Sequence, residues 1–289
     1  MQTVKHIKIE AKDGAEIPVL LCNLDDSSKK GVVIVCHGFG EHSGAYIDHA
    51  GRLWQGGYAC VIPDQRGHGK PPEGMKKWYG CIPDYQYFID DVLSVTDEVM
   101  KMAPDVPIAI YGHSMGGNIV INTLLSLPAE QASIFFCAML ESPWLELYEP
   151  ISPIKRCLIS FFSRVAPNLR NHRKLKYDNL SSDTERKQGY SKDPYYHNYI
   201  SMRMIKGIMD GCSNAMENAA KLPVKTYLAY ADNELVVSNK AIHEFAKRAG
   251  DMVTIKEYVS NHAIYNDVNR ESYCRDLITF LDSQMEKRF

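Results

Sequence analysis

Apolar residues along this chain gather into short runs, and the stretches between those runs repeat at helical spacing. Gly31–Cys36 (GVVIVC), Tyr58–Pro63 (YACVIP) and residues 108–111, 133–140 (SIFFCAML) and 224–229 (VKTYLA) read as strands covered on both faces. Residues 253–259 form the last such run. Ahead of them, Val4–Glu10 and residues 17–22 flank Lys12-Asp13-Gly14 and read as an opening hairpin. Residues 45–56, 85–102, 118–127, 238–249 and 270–287 read as helices; in the second, Phe88, Val92, Val95 and Val99 share one face. Apolar strands alternating with helices predict an α/β fold, a mostly parallel sheet with helices on both faces. The alternation stops after Pro143. Residues 144–220 show no convincing strand and read as a helical insertion. This divides the chain into 1–143 (core, first part), 144–220 (cap) and 221–289 (core, second part).

Composition narrows the function classes. A chain of 289 residues is long enough for one large domain with an insertion, and a net charge of −2 argues against a general nucleic-acid-binding surface. The polar start has no apolar run for a signal peptide, and no stretch nears the roughly 20 apolar residues of a membrane span. The expectation is therefore a cytoplasmic protein. Eight cysteines without a C-x-x-C pair, several inside apolar runs (Cys22, Cys36, Cys60, Cys137), read as buried free thiols.

The chemistry concentrates at strand ends, where open α/β sheets place their ligands. Gly112-His113-Ser114-Met115-Gly116 follows an apolar run and precedes a helix, as a G-x-S-x-G nucleophile elbow requires. The flanking glycines allow strand and helix to meet closely, and the helix start aims free N–H groups at the serine. Asp232 follows the strand after the insertion, and His262 follows the last strand. Ser114, Asp232, His262 is the nucleophile–acid–base order of α/β-hydrolases. In that arrangement His262 takes the serine proton and Asp232 orients the imidazole. Backbone N–H groups of Met115 and Phe39, the latter in His37-Gly38-Phe39-Gly40, would form the oxyanion hole. Competing assignments are His37, His68 or His113 as base and Glu141 as acid. Asp64 and Arg66 read as a loop-holding ion pair. No metal-ligand spacing appears, so neither metal nor cofactor is expected.

At these residues the chain resembles the monoacylglycerol lipase and lysophospholipase-like group of α/β-hydrolases, which includes proteins labelled serine aminopeptidases. The matching pieces are residues 37–44 (HGFGEHSG), 63–69 (PDQRGHG), 112–117 (GHSMGG), Asp232 ahead of Val236-Val237, His262, and residues 193–197 (DPYYH). The resemblance implies an eight-stranded core, a helical cap after the sixth strand and hydrolysis of carboxylic esters, often monoacylglycerols or lysolipids. The chain departs from the group at Lys70-Pro71-Pro72, where a serine is usual, at the atypical stretch 73–80, and at Ala45, where an arginine is usual.

The cap has unusual charge. Residues 151–177 hold Lys155, Arg156, Arg164, Arg170, Arg173, Lys174 and Lys176 and no acid; without these seven cations the chain's −2 becomes −9. Ile151, Ile154, Leu158, Phe161, Phe162 and Val165 fall near one helical face. That face either covers the acyl site or rests on an anionic lipid surface. Phe39, His113, Trp144, Leu158, Phe161 and Phe162 are the candidates for substrate contact. The reading is a cofactor-free serine hydrolase of lipid-like acyl esters with a small-molecule substrate. A short-chain carboxylesterase, a peptidase or amidase, and a non-catalytic binding protein of the same fold are the alternatives.

Overall fold

The computed structural model describes residues 2–71, 78–172 and 176–287. The stretch 72–77, with most of the atypical segment 73–80, and the cap cations Arg173 and Lys174 lie outside the described residues. In chain order the elements are β1 (Val4–Glu10), β2 (Glu16–Cys22), β3 (Gly31–Cys36), α1 (Ile47–Gln55), β4 (Tyr58–Pro63), α2 (Gln86–Met102), β5 (Ile108–His113), α3 (Met115–Ser126), α4 (Ala129–Ala132) and β6 (Phe135–Glu141). Then come α5 (Pro153–Val165), β7 (Arg170–His172), α6 (Thr184–Lys192), β8 (Tyr199–Ser201), α7 (Met202–Asn218), β9 (Thr226–Ala231), α8 (Asn239–Ala249), β10 (Val253–Tyr258) and α9 (Arg270–Glu286).

Eight strands form one sheet in the order β1-β2-β4-β3-β5-β6-β9-β10. β2 pairs antiparallel with both β1 and β4, and every pair from β4 onward is parallel. The period of two in a strand sends alternate side chains to opposite faces. In β3, Val32, Ile34 and Cys36 join one core, with residues of α2, α3, α7 and α8. Val33 and Val35 join the other, with residues of α1 and α9. The uninterrupted apolar runs thus serve a sheet covered on both sides. Phe88, Val92, Val95 and Val99 of α2 are all buried in the first core, as their spacing requires.

The segment between β6 and β9 is not purely helical. Arg170, Asn171 and His172 pair antiparallel with Ser201, Ile200 and Tyr199 in a two-stranded ribbon. Three residues per strand are too few to show a period, which is why the pattern did not reveal them. The expectation that α5 covers the acyl site is also corrected. Ser152 caps the helix, accepting from the Lys155 amide, and Pro153 opens it, yet none of its residues is buried. α5 leans on α7, while Ile154 (75% exposed), Leu158 (50%), Phe161 (57%) and Val165 (60%) face outward. Among the described residues no helix is long and apolar enough to cross a membrane.

Candidate active site

Ser114 stands between the last residue of β5 and the first of α3, at φ +52° and ψ −114°. A non-glycine residue in that region carries strain of order 1–3 kcal/mol. Three backbone hydrogen bonds hold it: Ser114 N–H to Glu141 O (2.9 Å), and Ser114 O accepting from Trp144 N (2.8 Å) and Asn118 N (3.1 Å). Two glycines make the bend feasible. A Cβ on Gly112 would strike the Gly116 carbonyl, and one on Gly116 would strike the Cys36 carbonyl. Helix α3 therefore seats directly against β3 and β5, with its free N–H groups at the serine.

Ser114 and His262 line one cavity of about 240 Å³. Phe39, Trp144, Leu147, Leu180, Leu235 and Val236 form the apolar part of its wall, and Glu41, His113, Glu149 and Lys176 are among the polar and charged residues that line the rest. His262 is 2% exposed. Its backbone N–H donates to Asn179 O (3.2 Å) and that of Ala263 to Leu180 O (2.8 Å), so the segment between β6 and β9 holds the histidine loop.

The carboxylate on His262 is not the one expected. Glu234 Oε2 lies 2.7 Å from His262 Nδ1, and the pair is 3% and 0% exposed for His262 and Glu234. The other oxygen, Oε1, accepts from the amides of Val236 (2.8 Å) and Val237 (3.1 Å), which fix the carboxylate in its own loop. Asp232 is exposed. Its Oδ1 accepts from the amides of Asn233 (2.7 Å) and Ser260 (3.0 Å), tying two loops together without reaching the histidine. The difference lies in where each side chain finds its partners. Asp232 directly follows β9. β9 runs on to Ala231, and the carboxylate three residues beyond that is Glu234. The signal was present as a second acid in the same loop, immediately before Leu235-Val236-Val237.

Glu141, the alternative acid, is fully buried at the end of β6 but accepts from Tyr111 Oη and Tyr265 N instead of His262. The alternative bases are occupied. His37 Nε2 accepts from Gln65 N (3.0 Å), so its proton is on Nδ1, toward Gly38 O (2.8 Å). His68 Nδ1 lies 3.0 Å from Arg66 O. Burial pushes both down to about 3, which keeps them neutral. Cys36 is no nucleophile, since burial pushes its thiol up to about 12. The expected Asp64–Arg66 pair is also replaced. Arg66 forks onto Asp91 and Asp13, while Asp64 accepts from Ser43 N.

Of the substrate-contact candidates, Phe39, His113 and Trp144 line the cavity. Leu158 and Phe161 are exposed on α5, Phe162 is half-buried there, and none of the three lines it. Gly38 donates its N–H to Glu41 Oε2 (2.8 Å), which shapes the turn carrying Phe39. Met115 is fully buried at the start of α3.

Comparisons with known proteins bear on the family and the fold. Residues 27–269 match the family model described as serine aminopeptidase, S33. The chain is 25% identical over 263 residues to a monoacylglycerol lipase of Mycolicibacterium smegmatis, covering 90% of this chain and 91% of that one. It is 34% identical over 166 residues to the monoglyceride lipase of Mus musculus, covering 57% of this chain and 52% of the mouse protein. A soluble variant of the Saccharomyces cerevisiae monoglyceride lipase, solved with a substrate analog, superposes with a TM-score of 0.85 at 20% identity, covering 98% of this chain and 96% of that one. With the elbow, the strand order and the family match in agreement, the chain belongs to the serine aminopeptidase S33 family of α/β-hydrolases.

Proposed function

We propose that this protein hydrolyses lipid-like carboxylic esters through an acyl-Ser114 intermediate, with His262 as base and Glu234 as the acid that orients it. The observation that carries the reading is the buried Glu234–His262 contact of 2.7 Å in the cavity that also holds the strained Ser114. With its Nδ1 proton directed at Glu234, His262 keeps the Nε2 lone pair to accept the Ser114 proton. The serine oxygen bonds to the carbonyl carbon, and the resulting oxyanion takes hydrogen bonds from the Phe39 and Met115 amides. The imidazolium then returns its proton to the leaving alkoxide. Water repeats the sequence in reverse roles to free the acid and regenerate Ser114. The apolar part of the wall suits an acyl chain, and charge at Glu149 and Lys176 suits a polar head. Relatives named as monoacylglycerol lipases support that class of substrate. Turnover of monoacylglycerols and of p-nitrophenyl esters of increasing chain length tests it. Rising kcat/KM from acetyl to medium and long chains is expected. A maximum at acetyl would make the protein a small-ester esterase, and cleavage of aminoacyl anilides without ester turnover would sink the ester reading.

The cap segment 144–220 supplies the second half of the reading, contact with a lipid surface. Ile154, Leu158, Phe161 and Val165 form one exposed stripe along α5, and Lys155 and Arg164 flank it on either side. Among the described residues Lys155, Arg156 and Arg164 make no ion pair. An apolar stripe between cations is the pattern of a helix lying in an anionic interface, with about 1 kcal/mol per cation near the surface. Sedimentation with vesicles containing phosphatidylserine is expected to pull down the wild type. Loss of binding is expected in Leu158→Glu/Phe161→Glu and weakening in Lys155→Glu/Arg164→Glu. Undiminished binding by the first variant would end the proposal, because exposed substitutions at these positions leave the core untouched.

A further inference from the structure

In the floor of the cavity, where Glu41 and His113 line it, lies a buried polar cluster that the reaction scheme above does not use. His113, the last residue of β5, is 1% exposed. Its Nδ1 is 3.4 Å from Glu141 Oε1 and its Nε2 is 3.9 Å from Glu41 Oε1. Neither contact is aligned as a hydrogen bond, and the ring stands between the two carboxylates at ion-pair distance. Both acids are buried, Glu41 at 4% exposure and Glu141 at 0%. Two buried carboxylates with no cation between them would be costly, and a protonated imidazole offsets them.

The cluster reaches the loops that carry the oxyanion turn, the nucleophile and the base. Glu41 Oε2 accepts from Gly38 N (2.8 Å), next to the Phe39 amide, and from Tyr46 Oη (2.7 Å). Tyr265, three residues beyond His262, gives its backbone N–H to Glu141 Oε1 (3.1 Å) and its hydroxyl to Glu41 Oε1 (3.3 Å). Tyr111 Oη donates to Glu141 Oε2. The His113 ring lies 4.8 Å from the His262 ring. Four strand ends are thus joined by one set of contacts: the turn after β3, the end of β5, the end of β6 and the loop after β10.

We propose that Glu41, His113 and Glu141 form a positioning unit that holds the oxyanion turn and the base loop in register and sets His113 as a counter-charge behind His262. This rests on the Ser114–His262–Glu234 reading. The charged groups facing His113 are Glu41, Glu141 and, farther off, Glu234, with His262 on the cavity side. His37 and His49 also lie nearby, and burial depresses both to about 3 and about 4, so they add no charge at neutral pH. Burial alone would push His113 down, but the carboxylates of Glu41, Glu141 and Glu234 raise it above its ordinary value. Burial would likewise raise Glu141, but His113 and Tyr111 lower it, which agrees with an ion pair. The sign of the coupling follows. A cation beside His262 opposes a second positive charge in the same pocket.

The test measures the pH profile of kcat/KM on a soluble p-nitrophenyl ester in His113→Gln, Glu41→Gln and Glu41→Ala, with Ser114 labelling by a fluorophosphonate in each. For His113→Gln, kcat is expected to fall about 100-fold with KM within about twofold, and the acid limb to move up by about one pH unit. Glu41→Gln keeps an acceptor for Gly38 N–H, so it is expected to retain about tenfold more kcat than Glu41→Ala. A folded His113→Gln with unchanged kcat and acid limb overturns the proposal. If the variants do not fold, ¹⁵N-imidazole NMR of the wild type decides: His113 protonated on both nitrogens at pH 7.5 upholds the cluster, and a neutral ring there overturns it. Absence of Ser114 labelling in the wild type would instead sink the catalytic reading, while the NMR result would still report on the cluster.

Discussion

Glu234→Gln is expected to lower kcat by about four orders of magnitude with KM little changed, whereas Asp232→Asn is expected to lose less than about tenfold. Glutamine fills the same volume and can still accept from the Val236 and Val237 amides through its carbonyl oxygen. That places its NH₂ toward His262 Nδ1, where two donors would meet unless the ring takes the other tautomer. In that tautomer Nε2 carries the proton and has no lone pair for Ser114. The lost carboxylate also removes the charge that steadies the imidazolium as it forms. Asp232 stands outside this chain of events. Its Oδ1 accepts from Asn233 and Ser260, and asparagine preserves an acceptor there, so the change is a matter of about 1 kcal/mol of stability at most. Steady-state kinetics on one ester, with thermal melts of both variants, separates the two. The opposite ranking would return Asp232 to the acid role and make the Glu234 contact structural.

Ser114→Ala is expected to remove turnover by a factor of at least about 10⁴, leaving only what the oxyanion donors and the bound geometry provide. Its fold should be intact, for a specific reason. Serine and alanine both carry a Cβ, so the strain at φ +52° is the same in both, and the bonds that hold the bend are all backbone bonds. The melting temperature is therefore expected to shift by no more than a few degrees, and fluorophosphonate labelling to vanish. Appreciable ester turnover in the folded variant would show that another residue supplies the nucleophile. The buried Cys36 thiol, raised by desolvation, is poorly suited to that role.

Much of the fold was legible because it rests on short-range pattern. Gly31–Cys36 and Tyr58–Pro63 were found with their observed bounds, since a strand buried on both faces must be apolar at every position. The elbow was equally plain, because sterics alone demand glycine at 112 and 116. Errors arose where the outcome depends on one or two residues of register or on distant partners. The strand read as ending at 229 runs on to Ala231, and the carboxylate that meets His262 is Glu234 rather than Asp232. Arg66 meets Asp91 and Asp13, 25 residues on and 53 back, and nothing local marks either over Asp64. The α5 stripe shows where such ambiguity begins, because an amphipathic helix has the same pattern whether its apolar face meets protein or lipid.

Alternation of apolar runs and helical stretches was therefore enough for the sheet, its two coverings, the serine elbow and the order in which the catalytic strand ends arrive. These follow from steric and solvation preferences that act within about one element's length. The partner of His262, the outward face of α5, the β7–β8 ribbon and the Glu41–His113–Glu141 cluster depended on packing between segments far apart in the chain. Glu41 and Tyr265 meet across 224 residues. No local preference encodes such a contact; it exists because the assembled sheet brings the ends of β3, β5, β6 and β10 together, and burial then requires each polar group there to find a partner.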